Sequence, residues 1–180
     1  MKLTKKDLRT IIKPALTLFI ICAAVTALLA LTDNLTEKEI AAREQQRISD
    51  SRKTVLPEAE IFEEYNDSTV TGINSDGGII GYVFTVTEHG YSGDIQVMVG
   101  INKDGKVSGV NLIKHSETPG LGAAAGGPSF LDQFRGLSGK AEVGKNIDSI
   151  SGATITSRAV SRAVNGAIEQ YKTIKESEND

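Results

Sequence analysis

The chain has 180 residues, a formal net charge of −3, two histidines, one cysteine and no tryptophan. That length holds one compact domain with a short appendage. An acidic chain with 5% aromatic residues lacks the basic face and stacking platform of a nucleic-acid partner, and its single cysteine excludes an intrachain disulfide.

Residues 14–31, PALTLFIICAAVTALLAL, carry no charge, and Ile11 and Ile12 lie just beyond Lys13. As a helix this run is long enough to cross a hydrocarbon core of about 30 Å, which takes roughly 20 residues. Lys2, Lys5, Lys6, Arg9 and Lys13 precede it, and Asp33, Glu37 and Glu39 follow. By the positive-inside rule the amino terminus is cytoplasmic and the remainder extracytoplasmic. A cleaved signal peptide would have a shorter apolar stretch ending in an Ala-x-Ala site, so the run reads as a retained anchor in the lipid bilayer. Cys22 lies mid-span behind Ile21, where a lipoprotein site would have a small residue, and reads as a small apolar side chain.

Residues 35–48 have helical spacing with a narrow apolar stripe (Leu35, Ile40, Ala41, Ile48), which suits a juxtamembrane helix continuing from the anchor. Asn66-Asp67-Ser68 and Asn74-Ser75-Asp76-Gly77-Gly78 are turn clusters. From Ile79 the period becomes two, with Ile80, Tyr82, Phe84 and Val86 on alternate positions. A second strand covers residues 94–101 with Ile95, Val97 and Val99 on one face, and a third covers 107–113. Asn102-Lys103-Asp104-Gly105 joins the last two as a hairpin turn. Pro128 opens a short helix placing Phe130, Leu131, Phe134 and Leu137 together. The last helix, residues 155–175, aligns Val160, Val164, Ala167, Ile168, Tyr171 and Ile174, and the charged residues after it fray. The expected organisation is an anchor over 1–32, a juxtamembrane segment over 33–55, a globular domain over 56–176 and a tail over 177–180. Its fold class is α+β, an antiparallel sheet with flanking helices.

Asp148-Ser149-Ile150-Ser151-Gly152-Ala153-Thr154-Ile155-Thr156-Ser157 opens that last helix. A helix N-terminus carries free N–H groups and partial positive charge, which suits a phosphate. Gly152 and Ala153 let a ligand approach the backbone, and Ser151, Thr154, Thr156 and Ser157 offer hydroxyls; an ordinary Ser/Thr N-cap uses the same residue types. Upstream, Glu117-Thr118-Pro119-Gly120-Leu121-Gly122 makes a tight loop, and Gly90-Tyr91-Ser92-Gly93 leads into the second strand. His89 and His115 are isolated, with no metal-ligand spacing around them, and no nucleophile–base arrangement or phosphate loop is present. No catalytic residue and no metal site are expected.

Asp-x-x-Ser-Gly-Ala-Thr, the Glu-Thr-Pro-Gly-Leu-Gly loop and the glycine-aromatic-glycine strand entry, in that arrangement behind an anchor, resemble the RnfG/NqrC family of membrane-anchored flavoproteins. The resemblance covers nearly the whole chain. It implies an FMN-binding domain over 56–176, with FMN joined by a phosphoester to Thr154. Ser151, Gly152, Ala153 and Thr156 would surround the attachment. Glu117, Thr118, Pro119, Gly120, Leu121 and Gly122 would lie against the ring, with Tyr91 on another side. No activating group accompanies Thr154, so the resemblance implies a separate flavin transferase that recognises Asp148 and its neighbours. It further implies the other membrane and redox subunits of an Rnf-type complex, which couples electron flow between ferredoxin and NAD to Na⁺ or H⁺ movement. The NqrC component of the Na⁺-translocating NADH:quinone reductase is the alternative within the family, and an unflavinylated anchored binding module the alternative outside it. Ala123-Ala124-Ala125-Gly126-Gly127 departs from the family pattern and is expected to be a bare, flexible outer wall.

Overall fold

The computed structural model describes residues 5–179, apart from the side chains of residues 5–11, Asn34, Leu35, Lys38 and Asn179. Lys2 and Asp180, with the side chains of Lys5, Lys6, Arg9 and Leu35, thus lie outside the described residues. One helix, α1, runs from Lys5–Val55 and joins the expected anchor and juxtamembrane segments without a break. The chain divides into two compact units, Met1–Gln46 and Arg47–Asp180. In the first, Ile12–Asp33 is long and apolar enough to cross a membrane, and none of that span is buried within the protein.

The second unit is built on a five-stranded antiparallel meander in sequence order: β1 (Ile61–Asn66), β2 (Thr69–Ile73), β3 (Ile79–His89), β4 (Asp94–Asn102) and β5 (Val107–Lys114). The first hairpin is not apparent in the sequence, although its turn at Asn66-Asp67-Ser68 is: there Asn66 Oδ1 accepts the Ser68 N–H at 3.0 Å. The expected turn after β4 forms, with Asn102 Oδ1 accepting from the N–H groups of Asp104 and Lys106 at 3.1 and 3.0 Å.

Both faces of the sheet are covered, which is why strand positions of both parities are apolar. Phe84, Val97, Val99 and Ile101 pack with Val160, Val164 and Ala167 of α3 (Thr154–Asn179) and with Phe130 of α2 (Pro128–Leu131). On the other face Val70, Val83 and Met98 pack with Val55 and Leu56 at the end of α1. Each fully buried side chain of this size contributes about 1.5–3 kcal/mol, so the stripe along residues 160–174 holds α3 against the sheet.

Two expectations are corrected. Residues 176–179 are helical rather than frayed, because Tyr82 Oη donates to Glu178 Oε1 at 2.5 Å and Lys175 pairs with Glu178 Oε2 at 2.6 Å. The segment after Leu121 is ordered as a 3₁₀ helix, Gly122–Gly126, because Ala125 is fully buried in the core cluster and anchors it there.

Candidate functional site

A cavity of about 370 Å³ opens where three separate segments meet, a volume within the roughly 300–1,000 Å³ of small-molecule sites. The turn between β3 and β4 contributes Tyr91, the loop after β5 contributes Glu117, Thr118, Leu121 and Gly122, and the start of α3 contributes Gly152, Ala153, Thr154, Ile155 and Thr156. All three motifs singled out in the sequence therefore meet at one place.

The opening of α3 is shaped by Ser157. Its hydroxyl donates to the Ala153 carbonyl at 2.9 Å and accepts the Ile150 N–H at 3.0 Å, while its own N–H donates to the same Ala153 carbonyl. Gly152 takes φ +76°, which turns the chain into the helix and is a conformation open chiefly to glycine. Thr154 then stands first in the helix, exposed, beside N–H groups of the first turn that have no intrahelical acceptor. Ser157, expected to offer a hydroxyl to a ligand, is fully buried and bonded within the protein. Ser151, Pro119 and Gly120 are exposed and lie outside the cavity lining.

Glu117 is buried, at 5% exposure. Its Oε1 accepts the N–H groups of Tyr91 and Ser92 at 2.8 and 3.1 Å, and its Oε2 accepts the Thr156 hydroxyl at 2.8 Å. Burial alone would push this carboxyl upward, but the Thr156 hydroxyl, the Ser92 and Tyr91 N–H groups and nearby His115 outweigh it and hold it below the usual glutamate range.

The remaining wall is apolar and uncovered. Tyr91 is 71% exposed, Ile155 51% and Leu121 47%. Three large apolar side chains around one cavity mark a surface built to be covered. Ile155 falls off the stripe that packs α3, so helical periodicity does not reveal its role. Nor does the sequence reveal Gln133. Its Oε1 accepts the Asp148 N–H at 2.7 Å and its Nε2 donates to the Asp148 carbonyl at 3.3 Å, holding that residue by its backbone with the side chain exposed. His89 lies beside Asp94 at 2.9 Å, His115 is exposed, and no metal-binding cluster occurs among the described residues.

An exposed hydroxyl, free N–H groups and an uncovered apolar wall in one cavity fit a ligand with a phosphate at one end and a flat apolar ring at the other. Residues 90–169 match the family model of the FMN-binding domain, and residues 1–55 match that of the RnfG N-terminal region. The G component of the Na(+)-translocating ferredoxin:NAD(+) oxidoreductase complex of Acetobacterium woodii is 36% identical over 197 residues, which covers 93% of this chain and 95% of that one. Its counterpart in the ion-translocating oxidoreductase complex of Methanosarcina acetivorans is 35% identical over 179 residues, covering 91% and 95%. That of the proton-translocating ferredoxin:NAD(+) oxidoreductase complex of Clostridium ljungdahlii is 32% identical over 176 residues, covering 93% and 95%. This membrane-anchored chain, with its FMN-binding domain, belongs to the RnfG family.

Proposed function

We propose that the chain carries FMN covalently on Thr154, outside the cytoplasm, and relays electrons within an Rnf-type complex that couples ferredoxin–NAD electron transfer to Na⁺ or H⁺ translocation. The observation that carries this reading is Thr154 standing exposed in the first turn of α3, in a cavity that the apolar side chains of Tyr91, Leu121 and Ile155 also line. The relatives are G components of ion-translocating oxidoreductase complexes, which favours the Rnf assignment over NqrC of the NADH:quinone reductase. Their names include both sodium and proton translocation, so similarity supports the complex and leaves the coupling ion to experiment.

FMN, when bound, supplies the reversible electron chemistry; the protein supplies attachment, position and surroundings. The phosphate would sit at the α3 N-terminus, where free N–H groups and the helix dipole favour an anion by about 0.3–1 kcal/mol. Gly152 and Ala153 leave the backbone open there, with Ser151 just outside. Leu121, Ile155 and Tyr91 would cover the ring, and Thr118 and Gly122 complete the wall. Pro119 and Gly120 shape the loop rather than line it. A covalent tether keeps the cofactor on a protein that faces a dilute exterior.

No general base touches Thr154 among the described residues, so attachment falls to a flavin transferase using FAD. The Thr154 Oγ1–phosphorus bond forms as the pyrophosphate bond breaks, AMP leaves, and the hydroxyl proton passes to the transferase or solvent. Asp148, backbone-held by Gln133 with an exposed carboxylate, is the recognition residue this reading requires. The direct test is the mass of the tryptic peptide of residues 146–158 from protein made in its own cells. A gain of one FMN less one water, absent in Thr154→Val, is expected. An unmodified peptide would instead leave an anchored module that binds without a covalent flavin.

A further inference from the structure

Resting on the assignment of the cavity to FMN, we infer that Glu117 is a positioning residue: its carboxylate ties the Tyr91 turn, its own loop and the first turn of α3 into a cradle that exists before the cofactor arrives. Its three donors come from residues 25, 26 and 39 positions away in sequence, on two segments that lie on either side of it in the chain. Oxygen Oε1 is doubly occupied, and Oε2 faces Thr156, two residues from the attachment hydroxyl on the same helical turn. The carboxylate therefore sets both where the Tyr91 wall stands and how the turn bearing Thr154 is rotated.

Two glycines are shaped around the same group. A side chain at Gly90 would collide with Oε1, and one at Gly122 would collide with Oε2 and come within 3.0 Å of Thr156 Oγ1. Neither has positive φ, so what glycine provides at both is room for the carboxylate and not a special conformation. Gly90 and Gly122 belong to the glycine-aromatic-glycine and Glu-Thr-Pro-Gly-Leu-Gly motifs respectively, which makes one buried carboxylate the physical link between the two signatures. Its hydrogen bonds come from two amides and a hydroxyl, not from a cationic side chain. A carboxylate, with two acceptor oxygens and no hydrogen of its own, receives all three donors without reorienting any of them. Burying a charge for that purpose costs free energy, which only a fixed geometry offsets.

The test has a flavin-free arm and a loaded arm, both on the full chain in detergent. In chain made without a transferase, amide hydrogen exchange is read at Tyr91 and Ser92, with Val97 and Val99 of β4 as references. Glu117→Ala is expected to speed exchange at the first pair by roughly tenfold or more, as loss of bonds to a charged acceptor implies, and to leave the references within about twofold. Glu117→Gln, whose carbonyl accepts both N–H groups and whose amide faces a hydroxyl able to reverse, is expected to restore protection to within about threefold. In loaded protein the visible circular dichroism of the flavin reports how firmly the ring is held. Glu117→Ala is expected to lose most of that signal while the peptide of residues 146–158 keeps its FMN mass, and Glu117→Gln to keep it. Should Glu117→Ala fail to fold, Thr156→Val removes one arm of the cradle and is expected to reduce the signal partially. Unchanged exchange at Tyr91 and Ser92, or an unchanged dichroism signal on a folded variant, overturns the inference. An unmodified wild-type peptide overturns only the FMN assignment, and the exchange arm then decides the cradle alone.

Discussion

At its amino-terminal end α3 presents Thr156 to Glu117; at its carboxy-terminal end Glu178 accepts from Tyr82. Both contacts join a glutamate to a hydroxyl, yet their surroundings differ. Glu117 is buried and held by neutral donors, whereas Glu178 lies in solvent beside Lys175. Around Glu178 the aromatic rings close ranks, with Tyr65 and Tyr171 edge-on to Tyr82 at 5.9 and 6.1 Å, and Tyr171 Oη donating to the Lys103 carbonyl at 2.8 Å. Around Glu117 the apolar side chains instead face outward and leave a cavity. A seam is closed where large rings meet each other, and a site is left where a buried polar group ties the backbone together and the apolar side chains around it meet no partner.

Both carboxyls are held below the usual range, for different reasons. Lys175 acts first on Glu178, followed by the Tyr82 hydroxyl; at Glu117 burial opposes ionisation and the three donors overcome it. Tyr82 responds in the opposite sense, pushed up by burial and then by its bond to Glu178.

Removing one partner at each end separates these cases, and the largest effect belongs to the buried group. Glu117→Ala leaves two amides and a hydroxyl unsatisfied, at about 1–3 kcal/mol each before water enters, so a loss of about 3 kcal/mol is expected in urea unfolding of the full chain. Tyr82→Phe removes a single bond from a glutamate that water can rehydrate, and a loss of about 1 kcal/mol is expected by the same measurement. Equal losses at the two ends would erase the distinction.

Acid unfolding sharpens it further. A carboxyl with a folded value below its unfolded one binds fewer protons when folded. Its stabilisation is thus complete above the ordinary value of 4.5 and is lost as pH falls through the folded value. Both glutamates act in that window, but Glu178 lies near a cation in solvent and its share should fade at 1 M salt, where the screening length is about 3 Å. The share of Glu117 should persist, and Glu117→Gln should abolish it. The smallest effect expected is that of Glu142→Gln, which loses pairs with Lys140 and Lys145 and should leave the urea midpoint almost unmoved.

Much of this is legible in the sequence because it is local. The apolar span, β3 to β5, the Asn102 turn and the α3 stripe are all written in period and turn chemistry, and the structure forms each of them. The first hairpin is hidden because β1 is an edge strand: IFEEYN has no alternation, and only Phe62 is even half-buried. The end of α3 is hidden because the group that orders Glu178 lies 96 residues earlier. At the site, the motifs mark the location, but their division of labour is not readable. Ser157 and Glu117 face inward and Ile155 outward, which only the packed fold determines.

The central claim is that the open end of α3 bears a flavin on one hydroxyl, and the mass of the peptide of residues 146–158 tests it most directly. Chain isolated from its native membrane should yield that peptide heavier by one FMN less one water, with fragmentation placing the addition on Thr154 and no addition in Thr154→Val. A native peptide with the mass of its amino acids alone, or an addition that persists in Thr154→Val, would contradict it.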